Sequence, residues 1–110
     1  MSGQSTGPII SSLHDDADMA ELIDMYVDEM GGRAQSLRNH LEAGNWKQLA
    51  NEAHKIRGSA GGHGFDSIGG NAAHLEDELR RCVGSEATIM QSIKQQVDEL
   101  VSMCLRAKAR

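Results

Sequence analysis

Apolar residues recur three and four positions apart along most of this chain, which is the periodicity of amphipathic α-helices. The pattern predicts a first helix that begins near Asp15 or Asp16. Gly31–Gly32 is predicted to interrupt it, and a second, short helix with Leu37 and Leu41 then ends at the Gly44–Asn45 cap. The predicted core face of the first helix consists of Met19, Leu22, Ile23, Tyr26, Val27 and Met30.

Three further helices are predicted after this cap. The third runs from about Trp46 to Gly61, and Phe65 is expected to plug the core at the corner that follows. The fourth helix ends near Gly84, and the fifth begins at Ser85 with a weak N-cap signal. Their apolar stripes are Leu49, Ala53, Ile56 and Ala60 in the third helix, Ile68, Ala72, Leu75 and Leu79 in the fourth, and Ile89, Ile93, Val97, Leu100, Val101, Cys104 and Leu105 in the fifth.

Short connections between amphipathic helices favour antiparallel neighbours. The pattern therefore predicts an all-α fold: an antiparallel up-down four-helix bundle with an additional short helix near the N-terminus. Residues 12–110 are expected to form this single domain, since 110 residues suffice for one core. Residues 1–11, which are rich in Gly, Ser, Gln and Thr and contain the only proline, are expected to form a flexible tail.

One histidine of the third helix is placed for chemistry. At about 100° per residue, His54 lies roughly 130° from the apolar stripe and therefore faces solvent. A neutral imidazole is a competent nucleophile, and its attack on an activated phosphorus would give phosphohistidine. Lys55 and Arg57 could balance the added charge. Gly58, on the same face, costs about 1 kcal/mol in a helix interior and would leave room for a docking protein.

The segment Ala53-His54-Lys55-Ile56-Arg57-Gly58-Ser59-Ala60-Gly61 resembles the signature of histidine-containing phosphotransfer (HPt) domains. That signature is a histidine, two variable positions, a lysine and a glycine, followed by small residues and a second glycine. The resemblance spans about residues 13–105. Arg57 stands where the family usually has lysine, which keeps the charge but changes the donor geometry. The resemblance also implies a docking rim for a partner, formed by Asn51, Gly61, Gly62 and Phe65.

The resemblance implies a phosphocarrier without its own ATP site rather than an enzyme. His54 would accept a phosphoryl group from a receiver-domain aspartate and pass it to the receiver of a response regulator in a multistep phosphorelay. The implied partners are receiver domains and a sensor histidine kinase, which can be a hybrid kinase. No cofactor is expected on this chain, because the receiver is expected to bring the Mg²⁺. We expect a monomer, and Met1 with its polar tail favours a free-standing protein.

Composition excludes several other classes of protein. The net charge is −5 and no basic cluster is long enough to follow a nucleic-acid backbone. No apolar run has the length of a signal peptide or a membrane span, so a cytoplasmic protein is expected.

Cys82 and Cys104 have no metal or redox spacing and are expected to stay reduced. The glycines from Gly58 to Gly64 lack the Gly-Lys-Ser/Thr ending of a phosphate-binding loop.

Two alternative functions stay open from the sequence. The same bundle could serve as a docking adaptor that is never phosphorylated. It could also bind a metal or cofactor, although His54, His63 and His74 include no i, i+4 pair with a supporting carboxylate. No metal site is therefore predicted, and His63 and His74 are expected to be ordinary surface residues. The acidic first helix is either a solvated face or an aid to partner choice.

Overall fold

A computed structural model describes residues 7–81 and 87–110 of the chain, except for the side chains of 87–89. Four helices form most of this part, which confirms the all-α class. Two single 3₁₀ turns, Ala17–Met19 and Gly61–His63, and one short strand pair complete the described elements. The helices are α1 (Ala20–Glu42), α2 (Trp46–Ala60), α3 (Asp66–Arg81) and α4 (Ala87–Arg106), and the strands are β1 (Ile9–Ile10) and β2 (Ala107–Lys108).

The apolar stripe of α2 lies in the core as predicted. Its four residues (Leu49, Ala53, Ile56 and Ala60) have no exposed surface, and Phe65 closes the core at the corner after the helix. Two residues predicted on core faces are instead exposed: Leu22 by 50% and Leu105 by 57% of their surfaces. Leu22 lies about 100° around α1 from the buried Ile23, on the solvent side of the stripe formed by Ile23, Tyr26 and Met30.

The predicted break at Gly31–Gly32 is wrong, because α1 continues without interruption from Ala20 to Glu42. The predicted second, short helix is therefore the C-terminal half of α1. A Cβ atom at either glycine would meet no atom within 4 Å, so both positions face open space. The buried stripe Met30, Ala34 and Leu37 passes the glycines with helical spacing. Its burial outweighs the roughly 1 kcal/mol that each glycine costs.

The flexible-tail prediction for residues 1–11 is wrong for residues 9–11, while residues 1–6 lie outside the described part. Ile9 and Ile10 pair in parallel with Ala107 and Lys108. Ser11 is fully buried, and its hydroxyl donates a 2.7 Å hydrogen bond to the carbonyl of His63. A buried hydroxyl needs a hydrogen-bond partner, and the partner of Ser11 lies 52 positions away, where no local sequence pattern indicates it.

Some sequence predictions fall on residues 82–86, outside the described residues: the end of the fourth helix near Gly84, the N-cap at Ser85–Glu86, and the state of Cys82. Cys104 is buried as a free thiol, and this burial raises its pKa to about 11. No helix in the described ranges is long and apolar enough to cross a membrane.

Candidate functional site

His54 lies in the middle of α2 and points away from the core, with 67% of its side chain exposed. The buried neighbours Ala53 and Ile56 fix the rotation of the helix. The imidazole is therefore presented on a well-anchored face, as the helical periodicity predicts.

A buried carboxylate from α3 holds the inner side of the imidazole. The Glu76 side chain is only 6% exposed, and its Oε2 and Oε1 lie 2.9 and 3.2 Å from Nδ1 of His54. An ionised carboxylate can only accept hydrogen bonds, so Nδ1 must carry the proton. In the neutral ring, Nε2 then holds the free lone pair.

Glu76 also accepts hydrogen bonds from two arginines. Nη1 of Arg57 lies 3.2 Å from Oε1, and Nε of Arg80 lies 2.8 Å from Oε2. Burial by itself would raise the pKa of Glu76, but the hydrogen bonds from Arg80, His54 and Arg57 outweigh it and lower the pKa below its ordinary value of 4.5. The group is therefore a carboxylate at neutral pH.

Sequence reasoning did not assign a function to Glu76 or Arg80, although the pattern contains a signal for the first. Ile68, Ala72 and Glu76 follow each other in steps of four, which places a carboxylate on the apolar stripe of α3. A charge at such a position must be paired. Arg80, one turn later, is one partner. The histidine on the facing helix could be recognised only in three dimensions.

Arg57 binds two carboxylates of α3 next to His54. Its Nη1 atom bridges Glu76 and Asp77, with 3.4 Å to Oδ1 of Asp77, and the side chain is about half exposed. Arg57 is therefore part of the site, where it is held by the carboxylates of Glu76 and Asp77. Lys55 is exposed and lies about 100° around α2 from His54.

The predicted rim residues fall into two groups. Gly61 and Gly62 are exposed and Asn51 is partly buried. Gly58, which is predicted beside the phosphate rather than on the rim, is exposed as well. A Cβ at Gly58 would meet no atom within 4 Å, so close helix packing does not explain this glycine. Phe65 is only 1% exposed, and its assignment to the rim does not hold because its ring fills the core.

The other histidines considered for metal binding lie apart from this arrangement. The His63 ring stacks on Tyr26 at 4.2 Å, and its Nδ1 donates a 2.7 Å hydrogen bond to the carbonyl of Ser59. His63 is thus a partly buried structural residue rather than an ordinary surface residue, while His74 is exposed. Within residues 7–81 and 87–110, no three His, Cys, Asp or Glu side chains form a group that could hold a metal ion.

A helical domain with an exposed histidine whose inner ring nitrogen is held by a buried carboxylate has the features of a phosphohistidine carrier. The sequence profile of the Hpt domain matches residues 21–103, and the chain belongs to this family. Hpt domains are phosphocarriers that serve histidine phosphotransfer in two-component phosphorelays. Comparisons with curated proteins and with solved structures found no match.

Proposed function

We propose that His54 is the phosphoryl acceptor of this domain. In the proposed reaction it receives the group from the aspartate of one receiver domain and passes it to the receiver aspartate of a response regulator. The hydrogen bond from Nδ1 of His54 to Glu76 carries the proposal, because it leaves Nε2 as an exposed nucleophile. The position of Gly58 in open space on the same face supports the approach of a second protein.

The proposed transfer needs no group on this chain beyond the imidazole and its neighbours. The Nε2 lone pair attacks phosphorus, the N–P bond forms, and the bond from phosphorus to the aspartyl oxygen breaks. The aspartate leaves as a carboxylate with the electron pair. The ring keeps its Nδ1 proton and becomes positively charged, and the Glu76 carboxylate 2.9 Å away stabilises that charge. Mg²⁺ is proposed to come with the receiver.

The cations beside His54 are proposed to balance the phosphoryl charge. The Arg57 bond to Asp77 is long, at 3.4 Å, and both side chains are about half exposed or more. Such an exposed ion pair is worth about 0–1 kcal/mol. The guanidinium can therefore exchange this bond for a charge-assisted bond to a phosphoryl oxygen. Lys55 is proposed to contribute its charge at longer range.

The proposed docking surface consists of Asn51, Gly58, Gly61 and Gly62 around His54. We also propose that the helices run up and down as antiparallel neighbours in a monomer. The Tyr26 hydroxyl hydrogen-bonds to Ser59, and Arg33 forms an ion pair with Glu52. Later residues of α1 therefore contact earlier residues of α2, as they do in antiparallel helices. This arrangement would place α1 beside the docking surface.

The test is phosphoryl transfer from a receiver domain that carries labelled phosphate on its aspartate, with Mg²⁺ present. We expect label on this protein that is stable to base and labile to acid, as phosphohistidine is. Peptide mapping should place it on the peptide that contains His54, and a second receiver should remove it. Binding to several phosphorylated receivers without any transfer would instead favour the docking adaptor.

Replacement of Glu76 by glutamine is expected to slow transfer about 10- to 100-fold, by analogy with the loss seen when the outer partner of a metal-binding histidine is removed. The amide can present its NH₂ group to Nδ1, which favours the unproductive tautomer, and it cannot balance the positive ring. The measurement is the rate of transfer from a phosphorylated receiver. Asp77→Asn is the matched control, because Asp77 also binds Arg57, whereas the carboxylate that binds Nδ1 of His54 is that of Glu76. Equal rates for Glu76→Gln and wild type would contradict the assigned role.

The same variant should change the pH dependence of stability. Because the pKa of Glu76 is lowered on folding, its stabilising contribution is fully present above its ordinary value of 4.5. This contribution is lost as the pH falls through the lower, folded-state pKa. Urea unfolding should show wild type more stable than Glu76→Gln at pH 7, with the difference shrinking below pH 4.5. A difference that grows on acidification would contradict the pairing.

Replacement of Gly58 by alanine is expected to separate stability from docking. The free energy of unfolding should rise by about 0.5–1 kcal/mol, because alanine favours the helix and its methyl group would meet no atom of the chain. Transfer from a receiver should slow about fivefold or more, since an extra methyl in a close-packed contact costs about 1–3 kcal/mol. Urea unfolding and transfer kinetics measure the two effects.

Gly31→Ala is the control for this separation. Gly31 also faces open space within a long helix. It lies about 200° around α1 from Arg33, whose side chain reaches Glu52 of α2. The control should gain similar stability and transfer at the wild-type rate. If Gly58→Ala transferred as fast as Gly31→Ala, the partner would not cover Gly58.

A further inference from the structure

We infer that Arg80 is a positioning residue for phosphoryl transfer: it holds the Glu76 carboxylate in the orientation that keeps a proton on Nδ1 of His54. This inference deepens the proposed function and rests on it. The sequence signature around His54 does not include Arg80, which lies on α3, 26 positions after the histidine.

Arg80 binds the same Glu76 oxygen that accepts the shorter hydrogen bond from the imidazole of His54. Its Nε donates to Oε2 of Glu76 at 2.8 Å, and the same Oε2 is the nearer acceptor of Nδ1 of His54, at 2.9 Å. The position of this oxygen therefore depends on Arg80. The carboxylate lies between the two donors, so a rotation that broke one bond would also disturb the other.

Arg57 is less suited to this task than Arg80. It reaches the other oxygen, Oε1, at 3.2 Å, and the same Nη1 atom is shared with Asp77. Arg57 also comes from α2, the helix that carries the reacting histidine. Arg80 is one turn from Glu76 on α3, so their pairing is local to one helix. If Arg57 moves to the phosphoryl group, Arg80 still holds the carboxylate.

A purely structural role for Arg80 would appear in the stability of the fold and would leave the tautomer of His54 unchanged. Without the Arg80 guanidinium, the Glu76 carboxylate, which is only 6% exposed, would keep His54 and Arg57 as hydrogen-bond donors. A role through Glu76 predicts a different observable, the tautomer of His54. Without a fixed acceptor at Nδ1, the imidazole can also place its proton on Nε2, which removes the nucleophilic lone pair from the exposed nitrogen.

The test compares Arg80→Gln with Arg81→Gln, which removes the same charge from the neighbouring, exposed position of α3. Nitrogen-15 NMR of the imidazole at alkaline pH, where histidine side chains are neutral, reports the tautomer. We expect the Nδ1–H form of His54 in wild type and Arg81→Gln, and a mixture of both forms in Arg80→Gln. Transfer from a receiver should slow about tenfold in Arg80→Gln only, and Arg80→Lys should recover part of the rate because the ammonium still donates to a carboxylate.

Two results would overturn the inference. One is an unchanged tautomer and rate in Arg80→Gln, which would make Arg80 a surface ion pair only. The other is an equal loss of rate in Arg80→Gln and Arg81→Gln with an unchanged tautomer, which would show a general charge effect on partner approach. The tautomer is measured without a receiver. A wild-type protein that never accepts phosphate would therefore contradict the proposed function and still leave the Arg80 contact testable.

Discussion

Replacement of His54 by glutamine is expected to abolish phosphoryl acceptance completely. Glutamine keeps a polar side chain on the exposed face of α2 and has a higher helix propensity than histidine, so the fold should persist. Its amide nitrogen has no available lone pair, and no N–P bond can form. The measurement is incorporation of label from a phosphorylated receiver with Mg²⁺, compared with wild type at equal protein concentration.

His74→Gln is the matched control for this experiment. His74 is also an exposed helical histidine, but it lies on α3 and has no carboxylate contact within the described part of the chain. This variant should accept label at the wild-type rate. Acid-labile label that persisted in His54→Gln would show that another residue is the acceptor, and the proposed role of His54 would be wrong.

The sequence predicts the reactive histidine better than it predicts its surroundings. The stripe from Leu49 to Ala60 fixes the rotation of α2, and a fixed rotation is sufficient to place His54 in solvent. Glu76 reaches His54 from a different helix, 22 positions later, so no local pattern shows the contact. The sequence indicates only that a carboxylate on an apolar stripe needs partners.

The errors in the predicted fold have a common physical cause. Gly31–Gly32 is read locally as a break, yet the packed stripe on both sides of it keeps α1 continuous. The N-terminal segment is read locally as a polar tail, yet Ile9 and Ser11 find partners at β2 and His63. In both cases tertiary contacts outweigh the local preference, which for each glycine within a helix is about 1 kcal/mol. For Phe65, the apolar side chain predicts a place in the core, which the structure confirms, whereas the rim position implied by the family resemblance does not agree with its 1% exposure.

Because the N-terminal segment packs against Gly64, this glycine tolerates an added side chain least among the glycines of the described structure. Its φ of +85° lies in the left-handed region, where an alanine costs about 1–2 kcal/mol. A Cβ at this position would also overlap the hydroxyl of Ser11 and lie 2.9 Å from the backbone nitrogens of Ser12 and Leu13. Backbone atoms cannot yield as a flexible side chain can, so the segment from Ser11 to Leu13 would have to move away.

Gly64→Ala is therefore expected to lower the free energy of unfolding by about 3 kcal/mol, the sum of backbone strain and overpacking. Gly44→Ala separates the two terms. Gly44 also has a positive φ, +67°, but its Cβ would meet only a Trp46 ring atom at an ordinary 3.9 Å. This control should lose only about 1–2 kcal/mol in urea unfolding. The excess loss in Gly64→Ala then measures the attachment of the N-terminal segment, and equal losses in the two variants would mean that this segment does not pack against Gly64.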